Sequence, residues 1–149
     1  MPTLIDTNIL LRSVQPSHPM HSAAVRALKV LMSGEEPLVV ALQNVAEFWN
    51  VATRPVLNNG LGFTIEEAQR EVIRLEEFFE VLSESPESYA AWKALLIAHR
   101  VSGVQVHDAR LVAVMKTYGV WRIVTFNLAD FVRFTEIEAI HPEGVAERR

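Results

Sequence analysis

The segment Thr3-Leu4-Ile5-Asp6-Thr7-Asn8-Ile9-Leu10-Leu11 sets a carboxylate and a carboxamide two residues apart inside an apolar, β-branched run. A buried carboxylate without a partner loses its hydration and gains nothing in return, so Asp6 requires compensation. Three further acids stand near the ends of apolar segments: Glu47 in Asn44-Val45-Ala46-Glu47-Phe48-Trp49, Asp108 in Val106-His107-Asp108-Ala109-Arg110, and Asp130 shortly after Thr125-Phe126-Asn127. Two carboxylates 4 Å apart repel by roughly 4 kcal/mol at an effective dielectric of about 20, so gathering several raises their pKa values or pushes loops apart. A divalent cation resolves that conflict. With oxygen donors and neither Cys nor paired His, the fitting ions are Mg²⁺ or Mn²⁺ rather than zinc. Such an ion polarises a phosphodiester, lowers the pKa of water beside it and stabilises the leaving oxygen.

Each acid also has a plainer use. Asp6 or Asn8 could cap a helix beginning near Ile9. Asn44 and Glu47 have capping-box spacing, as do Asn127 and Asp130, and an acid such as Asp108 at a helix start is favoured by the macrodipole. What favours a joint role is register: Asp108 lies 3, 4 and 7 residues before Leu111, Val112 and Met115, at the head of a stripe that faces the core. His18 and His21, flanking Pro19, read as a solvated pair, and His107 as structural or neutral, or as an aid to binding. Asn58-Asn59-Gly60-Leu61-Gly62 lacks both the GxGxxG pattern and the P-loop lysine, which makes it a turn. Arg12, Arg54, Arg110 and Lys116 are candidate phosphate contacts or ordinary surface charges.

To bring acids so far apart in sequence together, the chain needs elements that end at one edge. Thr3 to Ile5 reads as a strand, and a helix is predicted from His21 to Met32 after the turn at Pro16 to Pro19. Pro37 to Leu42 is a continuously apolar run, as in strands covered on both faces. Val45, Phe48, Trp49 and Ala52 recur at helical spacing until Pro55. Ile65, Ala68, Val72, Leu75, Phe79 and Leu82 step by three or four, predicting one amphipathic helix across that span. Further helices are predicted from Pro86 to about His99 and from Asp108 to Tyr118, then strands over Val120 to Asn127 and Phe134 to Ile140. Short apolar strands alternating with helices imply right-handed crossovers and a mainly parallel sheet, with ligands beyond the carboxyl ends of its strands. Asp6, Glu47, Asp108 and Asp130 all fall near such ends.

The 149 residues, 50% hydrophobic, suit one domain over 1–149 that buries about 70% of its unfolded surface. The net charge of −4 argues against a broad basic surface, so any nucleic-acid contact is local. No apolar run approaches the roughly 20 residues of a membrane span, and no signal-like segment is present. Absence of cysteine excludes disulfides and thiolate zinc sites. The expectation is a soluble, cytoplasmic protein.

Four segments carry a family resemblance by their order: Leu4 to Leu11; Asn44 to Pro55 with the following Asn58 to Phe63; Val106 to Val120; and Ile123 to Phe131. Acids 6, 47 and 108 are separated by 41 and 61 residues, and Asn127 follows Asp108 by 19. Across nearly its whole length the chain resembles the PIN-domain ribonucleases, most closely the VapC-like toxins of bacterial toxin–antitoxin modules. That resemblance implies a three-layer α/β/α sandwich with a mainly parallel central sheet. It implies Asp6, Glu47 and Asp108 as metal ligands, Thr125 as a supporting hydroxyl and Asn8 as the group orienting the first acid. The family often has an acid where this chain has Asn127, and Asp130 is the residue expected to supply that charge; if neither contributes, one ion rather than two is implied. The resemblance also implies a homodimer, and an antitoxin whose tail enters the site. The expected function is a Mg²⁺- or Mn²⁺-dependent endoribonuclease with Asp6, Glu47, Asp108, Asn127 and Asp130 in its catalytic group. Two alternatives remain open from the residues alone: a PIN-like binding module impaired by Asn127, and a receiver-like or phosphatase-like domain with a nucleophilic Asp6. Asn8 stands where many such phosphatases have a second acid.

Overall fold

The computed structural model describes residues 1–145; the last four residues of the expected 1–149 domain lie outside the described part. Strand β1 (Thr3–Ile5) leads into helix α1 (Thr7–Ser13), followed by α2 (His21–Met32), β2 (Leu38–Ala41), α3 (Leu42–Thr53), α4 (Ile65–Phe78), β3 (Glu80–Leu82), α5 (Pro86–Ala98), α6 (Val106–Thr117), β4 (Arg122–Val124) and β5 (Glu138–Ile140). The five strands make one sheet in the order β3-β2-β1-β4-β5, and every neighbouring pair is parallel.

Strand alternation decides the layers. Leu4, Val39, Ala41, Leu82 and Ile123 point to one face, where Leu95 of α5 and Leu111 to Met115 of α6 cover them. Ile5, Leu38, Val40, Val124 and Ile140 point to the other, packing against Ile9 and Leu10 of α1, Ala24 and Ala27 of α2, and Phe48 and Ala52 of α3. Val72 and Leu75 of α4 complete that second layer. The result is the expected α/β/α sandwich. All-round burial of α6 from Leu111 to Met115 makes it the most enclosed helix segment and fixes the direction from which its first turn meets the sheet edge.

Three elements differ from the sequence pattern. The stripe from Ile65 to Leu82 is not one helix: it stops at Phe78, and Phe79 turns extended, so that Glu80–Leu82 adds to β2 as an edge strand. No Gly or Pro marks the break; Phe79 and Leu82 are buried in both readings, and pairing with β2 decides between them. Second, the strand expected over 120–127 has three residues. Gly119, at φ +69, lets the Val120 amide close back on the Met115 carbonyl before the strand begins, and Thr125 to Asn127 turn away after it. Third, Phe134 is a core residue in a turn, and only Glu138–Ile140 of the expected last strand pairs.

The Asn58-to-Gly62 turn folds back on α3 as a cap. Leu61, Gly62 and Phe63 donate to the carbonyls of Val51, Arg54 and Ala52, satisfying the end of that helix. Gly60 is required there because a Cβ would fall 1.9 Å from the Arg54 carbonyl oxygen.

Candidate active site

The order of strands reverses at β1 and β4: β2 and β3 are laid down to one side of β1, β4 and β5 to the other. In an open parallel sheet this is where a crevice forms at the carboxyl ends of the strands. Asp6 is the first residue after β1. Its amide donates to the Val124 carbonyl at 3.0 Å, extending the ladder into the crevice.

The Asp6 carboxylate is buried and held from four sides. Oδ1 accepts from the Thr7 amide at 2.8 Å and from Asn44 Nδ2 at 3.4 Å; Oδ2 accepts from Thr125 Oγ1 at 2.8 Å and Asn8 Nδ2 at 3.3 Å. Cap and site residue are therefore one role, since Asp6 is the N-cap of α1, which begins at Thr7 rather than near Ile9. Even so, burial drives its pKa up from 3.8 to about 6, the Thr125 and Thr7 bonds opposing the rise and Glu47 and Asp130 adding to it.

Glu47 reaches the crevice from the second turn of α3. Its Oε2 accepts from Thr7 Oγ1 at 3.0 Å and its Oε1 from Gln43 Nε2 at 3.2 Å. It does not serve Asn44 in a capping box. Asn44 instead accepts the Ala41 amide at 2.8 Å, while its Nδ2 reaches Asp6 and, at 3.1 Å, Thr7 Oγ1. Fully buried, it ties the end of β2 to the start of α1.

Asp108 enters from the first turn of α6, half-buried. Burial is the main cause that lifts its pKa from 3.8 to about 6, with Asp130, Asp6 and Glu47 pushing the same way. Thr125, fully buried, also accepts from Asn8 Nδ2 at 3.2 Å and from the Asn127 amide at 3.0 Å, and Asn8 Oδ1 accepts the Phe126 amide at 3.2 Å. The supporting pair Asn8 and Thr125 thus clamps the ends of β1 and β4 together.

Asp6, Glu47, Asp108, Asn127 and Asp130 line one cavity of about 340 Å³, with Arg54 as the cation on its wall. All five residues expected in the catalytic group are therefore brought together, Asn127 and Asp130 included. Among the candidate phosphate contacts, Arg54 belongs to this cavity. Arg110 lies beside it but is forked onto Glu84 through Nε and Nη2. Arg12 bonds Gln15 at 2.7 Å at the far end of α1, and Lys116 sits more than two turns beyond Asp108, close enough to favour the charge of Glu136. Neither lines the acid cavity. His18 and His21 are likewise elsewhere, engaged with the Met20 amide and the Arg12 carbonyl.

The sequence pattern did not single out Thr7, Gln43 or Asn50. Thr7 and Gln43 hold Glu47, and Asn50 lines the cavity. The available signal was the threonine inside the Asp-Thr-Asn triplet and two carboxamides one α-helical turn to either side of Glu47.

As a donor set the cavity is all oxygen and strongly anionic, which suits a hard divalent cation and no softer one. Among the described residues, no three His, Asp or Glu groups are already gathered to hold one ion. The arrangement is a cup whose walls carry carboxylates, with exposed Glu47 and half-buried Asp108 on its open side.

A family model described as PIN domain matches residues 3–137. No curated protein sequence matches the chain. Among solved structures, the chain is similar to VapBC2 from Rickettsia felis bound to a promoter DNA fragment, with TM-score 0.72, 14% identity, and coverage of 95% of this chain and 98% of that one. It is similar to VapBC-1 from nontypeable Haemophilus influenzae at TM-score 0.66 and 20% identity, covering 95% and 98%. VapC20 of Mycobacterium tuberculosis, described as a toxin cleaving the sarcin–ricin loop, aligns at TM-score 0.59 and 18% identity over 81% and 86%. At these identities the likeness is one of fold.

Proposed function

The chain belongs to the PIN-domain family, and from that premise we propose that it is a metal-dependent endoribonuclease, acting as the toxin of a toxin–antitoxin pair. The observation that carries the reading is the convergence of Asp6, Glu47, Asp108 and Asp130 on one cavity from four segments distant in sequence. A structural cap needs no such company. Family membership also sets aside the receiver-like and phosphatase-like reading of Asp6.

Asp6, Glu47 and Asp108 would hold Mg²⁺ or Mn²⁺. Asp130 supplies a charge on the side where Asn127 offers a carboxamide, which favours an active site over an impaired binding module. When bound, the cation supplies Lewis-acid polarisation of the phosphodiester and a more acidic water. The residues of the chain do the rest. Four donors fix the Asp6 carboxylate, Thr7 and Gln43 fix Glu47, and Arg54 offers a positive contact for an RNA phosphate at the rim. Without the cation, the carboxylates repel that phosphate. Cleavage adds water across one P–O bond, giving one phosphate-terminated and one hydroxyl-terminated fragment.

The neighbours that are toxin–antitoxin complexes support an antitoxin as partner, and the family resemblance supports a homodimer. No described helix is long and apolar enough to cross a membrane. The test is incubation with single-stranded and structured RNA in Mn²⁺ or in EDTA, beside Asp6→Asn and Asp108→Asn. Cleavage in Mn²⁺ alone, lost in both variants, is expected. Cleavage in EDTA, or cleavage undiminished in both variants, would exclude the proposal.

A further inference from the structure

The first two turns of α6 carry a recess that the cleavage chemistry does not use. Glu47 lines the acid cup and also a neighbouring cavity with Gln43, His107 and Arg110. His107 and Arg110 in turn line a cavity of about 420 Å³ against α5, where Tyr89 and Trp92 form the wall. Shared walls thus set three hollows in series, Glu47 between the first two and His107 with Arg110 between the last two, from the carboxylates to aromatic rings.

That far end is built and held in place. Trp92 Nε1 donates to the Val106 carbonyl at 2.8 Å, pinning the indole between the two helices. The Glu84 fork fixes Arg110 and offsets its charge. Tyr89 stands 6.2 Å from Trp92, ring centre to ring centre, at 41°, and is 59% exposed. Its hydroxyl makes no hydrogen bond among the described residues. Lys93 Nζ lies over the Tyr89 ring, 5.6 Å from its centre, so that one face carries a cation and a base would stack on the other or displace the flexible lysine. An exposed ring next to a cation, at the end of a series of hollows leading from a phosphate-handling cup, matches a strand of alternating flat bases and phosphates. Every base has a π-face, so such a platform accepts bases by stacking.

We propose that this recess is the subsite for an unpaired nucleobase of the strand whose scissile phosphate sits in the acid cup, with Tyr89 as its stacking platform. The proposal rests on the nuclease reading above. It requires the stacked base to be unpaired, because a paired base keeps both faces in its own stack.

The test uses the full chain, a single-stranded oligoribonucleotide that it cuts in Mn²⁺, and the same strand with one abasic nucleotide, at the position near the cut where loss of the base raises the parent's KM most. Loss of one base stack corresponds to about tenfold to a hundredfold in binding. Tyr89→Ala is expected to raise KM by about tenfold or more with little change in kcat, Tyr89→Phe to restore it, and the abasic strand to make parent and Tyr89→Ala alike. Equal KM for parent and Tyr89→Ala on the intact strand, or the same loss on the abasic strand, overturns the subsite. A second readout needs no turnover: a short strand of 5-iodouridine with 2′-deoxy, methylphosphonate linkages that resist cleavage, cross-linked by light to the parent in Mn²⁺, should label the peptide containing Tyr89 and Trp92. Label confined to other peptides overturns it too. A parent that cuts no RNA contradicts the nuclease reading, while the cross-link still reports on the recess. Unchanged cleavage by Tyr89→Ala together with lost binding of an apolar peptide would assign the recess to a protein partner, against the proposal.

Discussion

Replacing Asp108 by Asn separates repulsion from hydrogen bonding, because the Asp108 carboxylate sits among Asp6, Glu47 and Asp130 and has no hydrogen-bond partner of its own among the described residues. Burial and those neighbours lift its pKa from 3.8 to about 6. At about 1.4 kcal/mol for each tenfold, that would cost the folded chain about 3 kcal/mol at neutral pH were the group sealed from water. Asp108 is only half-buried, so water weakens both the burial penalty and the smaller repulsion, and about 1 kcal/mol remains. The sign follows from proton counting. Below pH 3.8 the folded and unfolded chains both hold the proton. Between pH 3.8 and about 6 the unfolded chain releases it first, so stability falls as pH rises; above that the penalty is constant. Asp6 contributes with the same sign, so the variant keeps part of the slope. In EDTA at pH 7.5, urea unfolding followed by tryptophan fluorescence should find Asp108→Asn more stable than the parent by about 1 kcal/mol. That gain should shrink in 1 M KCl and vanish near pH 4. Saturating Mn²⁺ reverses the order: at 100 times the dissociation constant it adds about 2.7 kcal/mol to the parent and little to the variant. A variant less stable than the parent in EDTA, or one with an unchanged pH slope, would refute the claim that the Asp108 carboxylate, through burial and repulsion, destabilises the metal-free fold.

Two further substitutions probe the scaffold beneath the acids. Asn44→Ala strands the Ala41 amide and withdraws donors from Asp6 and Thr7, and should cost about 1–3 kcal/mol in urea unfolding. Thr125→Val keeps the shape but removes the 2.8 Å donor to Asp6; the Asp6 pKa, followed by carboxyl NMR titration, should rise further above about 6, whereas a fall would mean that the hydroxyl does not stabilise the anion.

Most of the sandwich is legible in the sequence because each layer has its own period. The His21–Met32 helix has its observed bounds, set by Pro19 before it and by the end of its apolar stripe. Short strands were harder, since their ends depend on partners. Phe79 and Leu82 continue a helical stripe by spacing, yet belong to an edge strand that only β2 can define. At the site, the acids were readable as types and in order, whereas their holders were not. The Asn44 pattern fits a capping box with Glu47 equally well; three-dimensional proximity to Asp6 and Thr7, 38 and 37 residues away, assigns it instead to the cup. The candidate cations show the same limit. Arg54 and Lys116 look alike in sequence, and only the fold places Arg54 on the cavity wall and Lys116 beside Glu136.

Titration of Mn²⁺ into the metal-free chain, with free ion followed by its EPR signal, asks most directly whether this acidic cup is a cation site. The parent should deplete the free signal in a saturable way, and Asp6→Asn combined with Asp108→Asn should leave it undiminished. A parent that leaves the signal untouched at millimolar Mn²⁺, or a double variant that depletes it equally, would contradict a site built from these carboxylates.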